Sequence, residues 1–152
     1  MQRTCNINPR IIEGLYCEAL VLSDEVRAAF DLAGRMRGDN AGEDANCIAL
    51  SCEALRTTTR MMHAVAWLLN HRAYFIGELS EFQLRRYGRL VPDFPAADPD
   101  RMALLAPSVR TLIAATEAFY ARLLRIDRAW RTNDPSGPSA IASLRARLAL
   151  VA

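Results

Sequence analysis

Apolar residues recur along this chain in alternating steps of three and four, over three long stretches. The first holds Ile12, Leu15, Ala19, Leu22, Val26, Ala29, Ala33 and Met36, a seam sustained for more than three heptads, with Tyr16 and Phe30 flanking it. The second holds Ile48, Cys52, Leu55, Thr59, Met62, Ala66, Leu69, Ala73 and Ile76. Ala54, Thr58, Met61, Val65 and Leu68 repeat that spacing one residue earlier and widen the stripe, so more than one neighbour must cover it. Glu53, Arg56, Arg60, His63 and Arg72 interrupt it. The third holds Val109, Leu112, Thr116, Phe119, Leu123, Ile126 and Trp130, extended by Ile113, Tyr120 and Leu124.

Local signals bound each stretch. Asn8 before Pro9 is a capping side chain followed by proline at the first helical position, so a helix runs from there to about Met36. The segment GRMRGDNAGEDAN, residues 34–46, is a turn between antiparallel helices, and Asp44 or Asn46 is placed to cap the second of them. A helix over 45–76 is about 48 Å long at 1.5 Å per residue, with Gly77 as its left-handed cap. Ser80 opens a short helix, EFQLRRY, that closes near Gly88. Pro92, Pro95 and Pro99 prevent a long element after it, apart from a helical turn or two in DPDRMALL. This stretch reads as a strap that packs Phe82, Leu84, Leu90 and Phe94 over one end of the molecule. Pro107 and Ser108 start the last long helix, which ends near Thr132. NDPSGPS is a linker by composition, and Ile141, Leu144 and Leu148 share a face of the tail beyond it. The expected fold is all-α: an antiparallel three-helix bundle over 9–132 with a short extra helix in the 2–3 crossover, then a linker and flexible C-terminal tail over 133–152.

A length of 152 residues suits one domain with a core able to fold unaided. No apolar run approaches a membrane span and no secretory h-region follows the first residues, so a cytoplasmic protein is expected. All 19 basic residues are arginine. The charge is uneven: −3 over 1–44, +1 over 45–106 and +4 over 107–152. Attraction between an acidic first helix and a basic last one accounts for this. Arg122, Arg125, Arg128 and Arg131 motivate a nucleic-acid reading, but a clustered footprint is missing and a solvated face is the plainer account. Cys5, Cys17, Cys47 and Cys52 form no CxxC and read as small buried hydrophobes.

Chemistry is sparse. His63 and His71 stand eight apart with no ExxH spacing, so no metal, cofactor or catalytic set is expected. Glu18 and Glu53 can face each other in a bundle, yet two carboxylates alone make no site. Trp67 fits a core position or an interface hot spot equally well. Arg60, His63, Trp67 and Arg72 are the candidate partner or dimer surface.

Two segments carry a family resemblance. LYCEALVLSDEVRAAF at 15–30 has the form LYxEAxxLxDExRxxF, and residues 51–79 have the form SxExLxxTTRxMHxxAWLLxxRAxxxGEL. Together they resemble the RcdA family of alphaproteobacteria, regulators of CtrA degradation. The resemblance implies a homodimer of three-helix bundles without catalytic activity. It implies an adaptor role in cell-cycle proteolysis by the ClpXP protease, primed by a CpdR-like response regulator. Cargo transcription factors are then delivered directly or through a further adaptor that binds cyclic di-GMP, with a transient stay at the cell pole. A dimeric helical scaffold or signalling protein without a protease link is the alternative.

Overall fold

The computed structural model describes residues 7–37, 45–132 and 148–149. These residues contain no strand. Helix α1 spans Pro9–Arg37, α2 Ala45–Phe75, α3 Glu81–Tyr87, α4 Pro99–Met102 and α5 Pro107–Thr132.

The helix ends follow the local signals. Asn8 Oδ1 accepts from the Arg10 amide at 2.9 Å, and Pro9 fills the first turn. Gly77 takes φ +83°. There the Glu78 amide donates to the Ala73 carbonyl at 2.9 Å and the Gly77 amide to Tyr74 at 3.1 Å, the paired bonds of a Schellman ending. No atom would meet an added Cβ at Gly77, so the cost of a side chain is confined to the backbone. Gly77→Ala is expected to lower stability by roughly 1–2 kcal/mol, read as a shift of the urea unfolding midpoint. Ser80 and Gln83 form a reciprocal capping box on α3. Asn46 does not cap α2, because it already lies in the helix's first turn; Asp44 lies outside the described residues.

The three long helices are not all antiparallel. Contacts between α1 and α2 run in opposite order, with Glu13 at Arg72 and Phe30 near Ala49 and Leu50. Contacts between α2 and α5 run in the same order: Arg60 meets Thr116, Trp67 meets Asp127, and His71 meets Trp130. Helix α5 is therefore parallel to α2 and antiparallel to α1. The reason is the strap, residues 76–106, which travels back along the length of α2 before α5 begins. The expectation that it packs over one end is corrected in the same way. Leu84 and Leu90 are buried and Phe94 is half-buried, but Phe82 is exposed.

The main core joins Ile12, Leu15 and Ala19 of α1, Met61, Ala64, Trp67 and Leu68 of α2, Leu90 of the strap, and Phe119, Tyr120 and Leu123 of α5. A second cluster, Ala49, Leu50, Leu105, Val109 and Ile113, closes the other end. Seams in α1 and α5 fall inward as predicted, except that Met36 is exposed beyond the last packed turn. The cysteines are not buried hydrophobes: Cys17 is exposed and Cys47 and Cys52 are half-exposed, while Cys5 lies outside the described residues. The linker and most of the tail predicted over 133–152 also lie outside them.

Candidate interaction surfaces

Helix α2 is built the opposite way round from its apolar stripe. Its inward face contains Glu53, Thr57, Arg60 and His71, all buried. The strap explains this. An irregular segment lying on a core brings amide and carbonyl groups without ladder partners, and these must be satisfied. Arg56 donates to the Ala96 carbonyl at 2.7 Å and Arg60 to the Pro95 carbonyl at 3.3 Å. Glu53 accepts from the Asp98 amide at 3.4 Å, and Glu117 of α5 from the Ala97 amide at 2.7 Å. Tyr120 donates to the Val91 carbonyl at 2.7 Å, and Arg131 to the Arg85 carbonyl at 2.7 Å. Side chains of α2 and α5 thus supply the hydrogen bonds that a sheet neighbour would give.

Charge in this layer is balanced locally. Glu53 lies 3.7 Å from Arg56 and 3.8 Å from Arg101. It does not face Glu18, which instead pairs with Arg122 across the α1–α5 junction. Arg60 also donates to Thr116 Oγ1 at 2.9 Å, and its burial lowers the guanidinium pKa from the ordinary value against the pull of Glu117 and Glu53. Burial likewise pushes the Tyr120 phenol up to about 12. His71 packs against Trp67 at 4.1 Å and Trp130 at 5.3 Å between ring centroids. Burial drops its pKa to about 4, opposed by Asp127 and reinforced by Arg131. Its Nε2 has no hydrogen-bond partner among the described residues.

The four residues expected to form a partner surface separate. Arg60 and Trp67 are each only 2% exposed, so neither presents a surface. Trp67 is in the core because its Nε1–H finds Asp127 Oδ1 at 3.0 Å, which settles its one polar group. His63 is half-buried against the edge of Phe94, 5.7 Å away. Arg72 is also half-buried, and it is occupied: it donates to Glu13 at 2.7 Å and lies 4.2 Å over the Tyr16 ring. The bond to Glu13 raises its pKa from the ordinary value.

The surface that pattern alone did not reveal is the stripe itself. Ile48 is 54% exposed, Leu55 72%, Met62 65%, Leu69 44% and Ile76 72%. These five stand at seven-residue intervals, four on α2 and Ile76 just past its end, and all are exposed among the described residues. Beside them, α1 and α2 bound an open groove of about 700 Å³, lined by Leu20 and Phe30 on one wall and Val65 and Ala66 on the other. The warning in the sequence was the stripe's width, which exceeds what one neighbour covers. A second exposed apolar group lies near the C-terminal end of α2, where α3 presents Phe82 and Tyr87.

Among the described residues no three His, Cys, Asp or Glu side chains are placed to hold a metal ion, and no helix is long and apolar enough to cross a membrane. What α2 and α3 offer is contact area. No curated protein and no solved structure matches the chain. One family model matches residues 4–151, almost its whole length, under the description protein of unknown function (DUF1465). This all-helical chain belongs to the DUF1465 family.

Proposed function

We propose that this chain is a non-enzymatic adaptor of the RcdA type, delivering cargo transcription regulators to a primed ClpXP protease. The observation that carries the reading is the uncovered face of α2. The motif over 51–79 that underlies the resemblance includes Leu55, Met62 and Leu69. None of these three packs into its own chain's core. Large apolar groups held at the surface are explained by a partner that covers them.

Adaptor work needs surfaces and no bond chemistry. Holding cargo beside a protease on a short flexible link raises its effective concentration to about the millimolar range. That requires two docking patches that do not overlap. The α2 stripe and the α3 aromatics Phe82 and Tyr87 offer two on different elements. Partners in this reading are a second copy of the chain, ClpXP with a CpdR-like response regulator, cargo, and a cyclic di-GMP-binding adaptor. The site of action is the cytoplasm, with a transient stay at the cell pole.

The test is a reconstituted degradation assay with ClpXP, a CpdR-like regulator and a CtrA-type cargo. Adding the full chain is expected to accelerate cargo loss several-fold. Unchanged turnover, with self-association intact, would favour the scaffold reading without a protease link.

A further inference from the structure

Arginines from two separate elements meet at one small pocket. Between the strap just after α3 and the final turns of α5 lies a cavity of about 160 Å³, walled by Arg89, Arg128 and Arg131 together with Leu90, Pro92 and Asp127. Arg131 and Asp127 cancel: the guanidinium Nε donates to the two carboxylate oxygens at 3.1 and 3.0 Å, and Asp127 also accepts from Trp67 Nε1 at 3.0 Å. Arg89 and Arg128 are exposed and have no ion-pair partner among the described residues. These two charges are in excess, and the C-terminal end of α5 offsets only about half of one. We propose that this pocket binds a phosphate group, either free or carried as a monoester on a small molecule.

The segment that supplies Arg89 is pinned on both sides. Before it, Arg131 Nη1 donates to the Arg85 carbonyl at 2.7 Å; after it, the Tyr120 hydroxyl donates to the Val91 carbonyl at 2.7 Å. Gly88 makes the close turn between them possible, since a Cβ there would stand 2.7 Å from both Leu84 Cδ1 and the Leu84 carbonyl oxygen. Binding therefore has little backbone to order, which favours affinity. Arg131 adds a donor to the excess charge, because its Nη2 has no hydrogen-bond partner among the described residues. A phosphate monoester brings a charge of about −1.5 to −2 and three acceptor oxygens at neutral pH. That matches two free guanidinium groups approaching from different elements, whereas a carboxylate brings one charge and two oxygens in a plane. Leu90 and Pro92 give the organic part of an ester an apolar wall. A nucleic-acid strand needs a longer track of positive charge, and Arg122, farther up α5, is taken by Glu18.

Calorimetric titration of the full chain with phenyl phosphate, inorganic phosphate and benzoate tests the site. One phosphate compound is expected to bind per chain, and phenyl phosphate at least about tenfold more tightly than benzoate, which has the same ring and a single charge. Phenyl phosphate binding more tightly than inorganic phosphate identifies an ester as the ligand; the reverse order identifies free phosphate. Arg89→Gln and Arg128→Gln are each expected to weaken phosphate binding by about tenfold or more. Helical circular dichroism should not change in either variant, since neither side chain has an ion-pair partner among the described residues. Three results would overturn the proposal: no saturable binding of either phosphate compound into the low millimolar range, benzoate binding as tightly as phenyl phosphate, or binding undiminished in the doubly substituted chain. Retention of a single-stranded oligonucleotide by a chain that binds neither phosphate compound would also overturn it, and would assign these arginines to a nucleic-acid surface.

Discussion

Replacing Trp67 by alanine is expected to destabilise the fold by about 4 kcal/mol, within the 3–5 kcal/mol of buried Trp or Phe truncations. Three losses combine. The indole is almost wholly buried between α2 and α5, so its removal opens a cavity in the main core. His71 loses the ring packed 4.1 Å from its own. Asp127 loses the Nε1–H donor at 3.0 Å, though Arg131 still holds both its oxygens at 3.0 and 3.1 Å. Against a total stability of roughly 5–15 kcal/mol, the variant stands at the edge of unfolding at room temperature. Trp67→Phe separates the terms: it keeps an aromatic ring and forfeits the hydrogen bond, for about 1–2 kcal/mol. Urea unfolding followed by circular dichroism measures both. A Trp67→Ala chain as stable as the parent but unable to self-associate would return this residue to a surface role.

Acid is expected to weaken the fold before ordinary carboxylates titrate. His71 is neutral in the folded chain down to about pH 4, while in the unfolded chain it takes up a proton near the ordinary histidine pKa of 6.5. Between these values the unfolded state binds more protons, so stability falls as pH falls. The stabilisation is fully present above about 6.5, and at roughly 1.4 kcal/mol per pH unit close to 3 kcal/mol is gone by pH 4. The groups around the imidazole shape this. Asp127 attracts a proton onto His71, Arg131 opposes it, and the enclosing Trp67 and Trp130 rings exclude the water that would solvate the cation. His71→Leu is expected to flatten the stability profile between pH 6.5 and 4, whatever its effect at neutral pH. Urea midpoints taken at half-unit intervals would show it. An unchanged slope would mean that the imidazole is protonated within the fold.

Boundaries were legible in the sequence because they depend on residues close together in it. Asn8 with Pro9, Ser80 with Gln83, and Gly77 each act within one turn, and each stands where the pattern put it. The inward faces of α1 and α5 were legible too, since each helix carries one apolar seam with polar residues opposite. Helix α2 was not, because both of its faces offer apolar residues. The more continuous one, from Ile48 to Ile76, looks outward, while Glu53, Thr57 and Arg60 look in. Pattern reasoning assigns charged residues to solvent. It has no way of knowing that a proline-rich segment 35–45 residues later lays its unpaired amides and carbonyls against that face. The direction of α5 was hidden by the same segment. The candidate surface failed for this reason: Arg60 and Trp67 serve the strap and the core, and the stripe assigned to the core is free.

Counting the strap, the polypeptide passes along the molecule's long axis four times. An even number of passes returns to the pole from which it set out. The start of α1, through Glu13 and Arg72, and the end of α5, through Trp130 and His71, meet the same final turns of α2. A short artificial bridge between these two helix ends, with a new opening cut in the glycine-bearing segment at 38–44, would reorder the chain while leaving every helix where it lies.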